Sequence, residues 1–112
     1  MDHTKYIKTL GFNSNQPVGR GFNYPYDIDF SSDGRIFLVN RMGGLNSRGV
    51  RIQIFTFDEE WLSEFGTGPG NGDDQFTIPV CIAINENDDV FITDEYLNEV
   101  KVFDKKGELK KV

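Results

Sequence analysis

The sequence predicts an all-β protein built of four-stranded antiparallel sheets, and three observations predict it. Short runs of β-branched and aromatic residues recur between turns rich in Gly, Asn and Asp. The runs repeat, Pro25-Tyr26-Asp27-Ile28-Asp29-Phe30 returning 54 residues later as Pro79-Val80-Cys81-Ile82-Ala83-Ile84. Several runs are apolar at consecutive positions, which suits strands covered on both faces.

Each copy reads as the same series of strands. Residues 28–30 lead into Ser31-Ser32-Asp33-Gly34, where Asp-Gly is a strong hairpin signal. Residues 35–39 form the return strand, matched by Val90-Phe91-Ile92-Thr93 at the same spacing of 54. Arg51-Ile52-Gln53-Ile54-Phe55 matches Glu99-Val100-Lys101-Val102-Phe103 at a spacing of 48. The six-residue difference is an insertion in the first copy, between Met42 and Val50, and its Gly and Asn content suits a loop. Residues 61–65 are a fourth strand after the turn Asp58-Glu59-Glu60. A short helix capped by Asp58 competes there. The strand is preferred because the matching turn of the second copy holds Gly107, a poor helix former. The second copy's fourth strand falls in residues 108–112.

Four antiparallel strands per unit of about 50 residues describe the blade of a β-propeller, whose neighbouring blades cover each other's faces. The unit resembles the NHL repeat. Its family pattern runs Gly-x-Phe-x-x-Pro-x-Gly-Ile-Ala-Val, then Asp-Gly-x-Ile-Tyr-Val-Ala-Asp-x-x-Asn-x-Arg-Ile-x-x-Phe-Asp-x-x-Gly. The second copy is a close match, with Phe76, Pro79, Ile82, Ala83, Asp94, Val100, Phe103, Asp104 and Gly107 in register and Gly72 and Asn98 near the pattern's Gly and Asn. It departs at Cys81 for Gly, Asp89 for the hairpin Gly and Glu99 for Arg. The first copy is looser, with Asn40 at the place of Asp94. Residues 6–10 look like the last strand of a preceding blade. The whole chain, residues 1–112, is then one propeller segment, with a first repeat over 21–66 and a second over 72–112. The resemblance implies a propeller of six blades, of which this chain holds about two.

Composition narrows the function classes. Acidic residues number 18 and basic ones 12, for a net charge of −6. Nucleic acid is an unfavoured partner, because phosphate binding needs a basic surface. Some NHL propellers bind RNA, but Arg41, Arg48 and Arg51 make only a weak patch. Aromatics at 13% exclude a disordered acidic tail. No apolar run reaches the roughly 18 residues of a spanning helix, and the first residues lack signal-peptide order. No membrane partner is expected. Cys81, the single cysteine, reads as a small core residue and suits a reducing compartment. The single histidine is His3, so a Cys–His nucleophile is not expected.

The candidate site gathers at the end of the sheets where the second strand stops. Asp94, Glu95 and Asn98 lie there in the second copy, and Asn40 and Arg41 in the first. In the resembled family this Asp and Asn fix the loop by bonding backbone. The functional reading makes Asp27, Asn40, Arg41, Asp94 and Glu95 a ligand-binding set on the propeller face. The carboxylates there have the chemistry to hold a divalent cation, although no cofactor is required. Phe22, Tyr24, Tyr26 and Phe76 flank the innermost strands and read first as packing between blades. Asn85-Glu86-Asn87-Asp88-Asp89 lacks the Gly and Glu of a calcium loop and reads as a hairpin turn. The stretch from Gly66 to Gly72 lacks the Gly-Lys-Ser/Thr ending of a phosphate loop and reads as a linker between blades.

These readings favour a non-catalytic binding module, taking a protein or small-molecule ligand on the propeller face. The alternative is part of a metal-dependent propeller hydrolase or lyase, sugar-lactonase-like or amidating-lyase-like. Two blades leave apolar flanks uncovered. Either the chain is a fragment of a larger propeller, or copies close a ring through those flanks, three chains giving six blades, or it packs as a smaller two-sheet unit.

Overall fold

The computed structural model describes residues 5–41 and 49–112. Most of the insertion and its Arg48, together with His3, lie outside the described residues. The chain forms eight strands: β1 (Pro25–Phe30), β2 (Ile36–Asn40), β3 (Arg51–Phe55), β4 (Trp61–Phe65), β5 (Pro79–Ile84), β6 (Val90–Asp94), β7 (Glu99–Phe103) and β8 (Leu109–Lys111). They make two four-stranded antiparallel meanders, β1-β2-β3-β4 and β5-β6-β7-β8. Residues 58–65 hold strand β4 rather than a helix.

The repeat is carried down to its irregularities. Both innermost strands break register after their first proline, between Pro25 and Asp27 and between Pro79 and Cys81. Both fourth strands bulge opposite the end of the third, at Leu62 between the partners of Ile54 and Phe55 and at Lys110 between those of Val102 and Phe103. The β1–β2 turn closes with Gly34 at φ 85°, and the β5–β6 turn with Asp88 at φ 61°. The residue in the hairpin glycine's place is therefore Asp88, 54 residues after Gly34, and not Asp89 as expected above. The same backbone bonds close both turns, Gly34 N–H to Ser31 O and Asp88 N–H to Asn85 O, each at 3.0 Å. Asp tolerates this left-handed conformation better than most residues.

Each sheet has two faces, set by the twofold alternation of strands. The front bears Ile28, Phe30, Ile36, Leu38 and Phe55 in the first sheet, and Ile82, Ile84, Val90, Ile92 and Phe103 in the second. The back bears Asp27, Phe37, Val39, Ile52 and Ile54 in the first, and Cys81, Ala83, Phe91 and Val100 in the second. The main core lies where the first sheet's back meets the second sheet's front. Phe37, Val39, Ile52 and Ile54 pack there on Ile82, Val90, Ile92 and Phe103. Phe65 of β4 caps the layer, its ring centroid 4.8 Å from that of Phe103. Each such buried side chain contributes about 1.5–3 kcal/mol relative to exposure.

Residues 6–10 carry no strand among the described elements. Tyr6 and Ile7 are exposed, and no ladder partner lies beside them. An outermost strand needs a sheet to pair with, and the first sheet begins instead at Pro25. Cys81 is exposed on the back of β5 rather than buried in a core. The sequence showed an apolar run, but the run alternates between a covered face and an uncovered one.

Candidate functional site

The register pairs Pro25 with Asn40 and Pro79 with Asp94, so the ends of β2 and β6 sit at equivalent corners of the two sheets. Asp94 is 2% exposed and Asn40 0%. Asp94 Oδ2 accepts the Thr77 N–H at 2.7 Å, and Ile78 N–H lies 3.2 Å from Oδ1. Oδ1 also accepts Tyr96 and Leu97 N–H, both at 3.0 Å. One carboxylate thus ties the loop after β6 to the segment entering β5. Asn40 makes the reduced version of this clamp. Its Oδ1 accepts Asn23 N–H at 2.8 Å, and its Nδ2 donates to Gly49 O at 2.9 Å. The amide replaces the acid where the loop offers a carbonyl as well as an N–H.

The next residues, Arg41 and Glu95, turn their side chains outward. Their backbone N–H groups bond Tyr24 O at 3.1 Å and Ile78 O at 3.0 Å, an identical turn on each sheet. The Arg41 guanidinium lies over the Tyr26 ring, 3.9 Å from its centroid. Such stacking orients the cation and is worth about 0.5–1 kcal/mol at an exposed place. Tyr26 is 52% exposed, and Tyr24 and Tyr96 are exposed at the same end. Of the aromatics flanking the innermost strands, Phe22 and Phe76 pack inward and the two tyrosines do not.

Asp27 lies away from this corner, on the back of β1. Its Oδ1 accepts Ile28 N–H at 2.9 Å, and its Oδ2 accepts Ile82 N–H of the second sheet at 3.0 Å. Asp29 repeats the arrangement two residues on. It takes Phe30 N–H at 2.8 Å and Ile84 N–H at 2.7 Å. The structure therefore brings Asn40 with Arg41, and Asp94 with Glu95, to the two corners, and leaves Asp27 between the sheets. Among the described residues no group of three or more His, Cys, Asp or Glu side chains is arranged to hold a metal ion.

Two buried cations were not legible as such. Arg51 is not part of a basic surface patch, because it lies fully buried in β3. Its guanidinium donates to Gly49 O at 2.8 Å, Gly19 O and Gly21 O at 3.2 Å, and Pro17 O at 3.3 Å. Burial pulls its pKa below the usual range, and the Glu64 carboxylate, 3.3 Å away, pulls it back. Gln53 Nε2 joins it, donating to Gly19 O at 2.8 Å and Gly21 O at 3.0 Å. In the second sheet Lys101 stands at the place of Gln53 and donates to Gly72 O at 2.7 Å and to Gln75 O. The glycine-rich stretch after β4 is thus a linker pinned by a lysine. The signal for these anchors was the pairing of a glycine-rich loop, full of free carbonyls, with a polar residue on each third strand.

Two packed four-stranded meanders, repeating the same bulges, turns and corner clamps, are β-propeller blades. No family model matches the chain. It is 32% identical over 85 residues to NHL repeat-containing protein 3 of Homo sapiens, covering 75% of this chain and 23% of the relative. The figures for NHL repeat-containing protein 3 of Mus musculus are the same. The chain is a member of the NHL-repeat family, and its sheets are NHL-type blades. The match spans about a quarter of the length of these relatives.

Proposed function

We propose that the chain is a non-catalytic binding module, its blades presenting the corner loops after β2 and β6 to a protein or small-molecule ligand on one face of a six-bladed propeller. The observation that carries this reading is the stacked pair of Arg41 and Tyr26, with exposed Tyr24 beside it and Glu95 and Tyr96 at the equivalent corner. A guanidinium held flat against a ring is oriented before any ligand arrives, which lowers the ordering cost of binding. Its fork geometry suits a carboxylate, and the tyrosines suit flat or apolar groups next to it. Asn40 and Asp94 support the corners from below, with their oxygens on backbone N–H groups, and Asp27 joins the two sheets at Ile82. They are positioning residues in this reading, and Arg41 and Glu95 are the groups that meet the ligand.

The test is an amide chemical-shift titration with a short extended peptide of alternating Glu and Tyr. Shifts are expected to gather at residues 24–26, 41, 95 and 96. Arg41→Ala is expected to weaken binding by about tenfold, the loss of one oriented ion contact. Shifts scattered over the surface, or none, would sink the reading.

A further inference from the structure

We propose that the front of the first sheet is a docking seat for the second sheet of another copy of this chain, so that copies associate head to tail. The first sheet's front and the second sheet's front are the same surface in the repeat. Ile28, Phe30, Ile36, Leu38 and Phe55 correspond to Ile82, Ile84, Val90, Ile92 and Phe103. In the second sheet this surface is covered by the back of the first sheet. In the first sheet it is an open apolar groove of about 300 Å³, reaching Leu10 and Phe57 at its rim. Ile28 stands 48% exposed in it and Phe30 50%. The described chain also carries an uncovered back, where Cys81, Ala83, Phe91 and Val100 are exposed. What covers one front is a blade back, and this chain holds a free one.

The hydrogen-bond balance selects the second sheet's back as the occupant. An innermost strand presents outward N–H groups along its free edge. Those of Ile82 and Ile84 are met by Asp27 and Asp29 from the neighbouring back. Those of Ile28 and Phe30 are already met within β1, by the other oxygens of the same two carboxylates. The open seat therefore asks for no acceptor. The second sheet offers none, because Cys81 and Ala83 stand where the first has Asp27 and Asp29. A back carrying carboxylates would bury them there without donors, at a high desolvation cost. Alternation of a carboxylate-bearing sheet with a neutral one leaves no edge group unpaired at either contact.

Residues 6–22 already fill the outer part of the seat as residues 61–76 fill the other. Phe22 and Phe55 lie 5.3 Å apart at 45°, and Phe76 and Phe103 5.6 Å apart at 46°. Gly11 and Gly66, both at positive φ, each lie under the ring of that phenylalanine. Leu10 packs on the first sheet's front as Phe65 does on the second's. The incoming copy brings β5–β7, and its β8, which pairs with β7 through Val102–Lys111 and Phe103–Leu109 in the single chain, gives up that place to residues 6–10. Two unlike surfaces joined head to tail close a ring when the rotation closes.

Light scattering after size exclusion of the 112-residue chain tests this. A discrete multiple of the 12.8 kDa chain is expected, and a monomer at every soluble concentration would overturn the proposal. Ile28→Arg spoils the seat and Phe91→Arg the incoming back, and each is expected to give a monomer of unchanged circular dichroism. Mixing the two variants restores one intact contact, so the mixture gives a heterodimer and nothing larger. A mixture that stays monomeric, or a single variant with the parent mass, refutes head-to-tail docking. If Phe91→Arg fails to fold, Val100→Lys on the same face carries the same expectation. Amides of residues 6–10 gain exchange protection in the assembly and lose it in Ile28→Arg. Equal exchange in both refutes their pairing with the incoming β7.

Discussion

Asp27 closes the edge of the second sheet at Ile82, its Oδ2 accepting that residue's N–H at 3.0 Å while its Oδ1 accepts Ile28 N–H on its own strand. One carboxylate therefore satisfies edge donors of two different sheets, and Asp29 does the same for Ile84 and Phe30. Innermost strands have a free edge, and unpaired edge groups invite wrong partners. The two aspartates fix how the sheets sit along each other, because each reaches one chosen N–H of the neighbour.

Removing either carboxylate should be felt at its own partner. Asp27→Ala leaves the Ile82 N–H without an acceptor, at a cost of about 1–3 kcal/mol in urea unfolding. Hydrogen exchange gives the sharper readout. Ile82 should exchange faster in Asp27→Ala and Ile84 in Asp29→Ala, with each variant sparing the other amide. Uniform acceleration of both would show a general loosening instead.

Acid should weaken the contact between the two hairpin turns. Asp88 Oδ2 accepts the Ser32 hydroxyl at 2.6 Å, and Oδ1 the Ser32 N–H at 2.7 Å. These bonds, the hydroxyl first, hold the Asp88 pKa below the ordinary carboxylate value. A carboxylate with a depressed folded pKa stabilises fully above its unfolded value, near 3.9, and loses that contribution as pH falls through the folded one. Asp89 beside Lys110 and Asp33 beside Ser31 shift the same way. Melting followed from about pH 7 to about pH 3 should show a steep acid loss. Asp88→Asn should start lower at neutral pH and lose less on acidification. Parallel curves for the two proteins would remove Asp88 from the account.

Lys101 should matter for the linker more than for the sheet. Its ammonium meets Gly72 O and Gln75 O at the end of the glycine-rich stretch, and its place in β7 is fully buried. Lys101→Met keeps the apolar stem and strands both carbonyls, which should cost about 2–3 kcal/mol. Limited proteolysis should then cut within residues 66–75 before any strand. Cleavage elsewhere first would mean that the linker is held by other bonds.

The strands, the hairpins, the preference for β4 over a helix and the equivalence of Asn40 and Asp94 at the ends of β2 and β6 were legible because each rests on local periodicity or turn chemistry. The bridges of Asp27 and Asp29 were not, because their partners lie 55 residues away in another sheet. The anchors Arg51 and Lys101 were hidden for a related reason. A charged residue on a strand reads as solvent-facing, and only the tertiary arrangement lays carbonyl-rich loops over it. Cys81 misled in the opposite sense, since an apolar run shows that a strand is covered without saying on which face. At the corners, the sequence put Asp94 and Glu95 into one ligand set, whereas the structure aims the first inward and the second outward.

That inward aim yields the prediction that separates loop-building from metal binding. Asp94 holds four backbone N–H groups, of Thr77, Ile78, Tyr96 and Leu97. A calcium ion takes carboxylate oxygens as its ligands, so binding at Asp94 would have to strip those donors and leave them unpaired in a buried place. Millimolar calcium should therefore leave the melting temperature unchanged. Asp94→Ala should cost about 3 kcal/mol or more, a large value for one side chain because several buried donors lose their acceptor at once. Asp94→Asn should fall between the two proteins. Its amide nitrogen would face an N–H donor, unlike Asn40, whose Nδ2 meets the Gly49 carbonyl. A rise in melting temperature with calcium that disappears in Asp94→Asn would overturn the clamp and restore the carboxylate as a metal ligand.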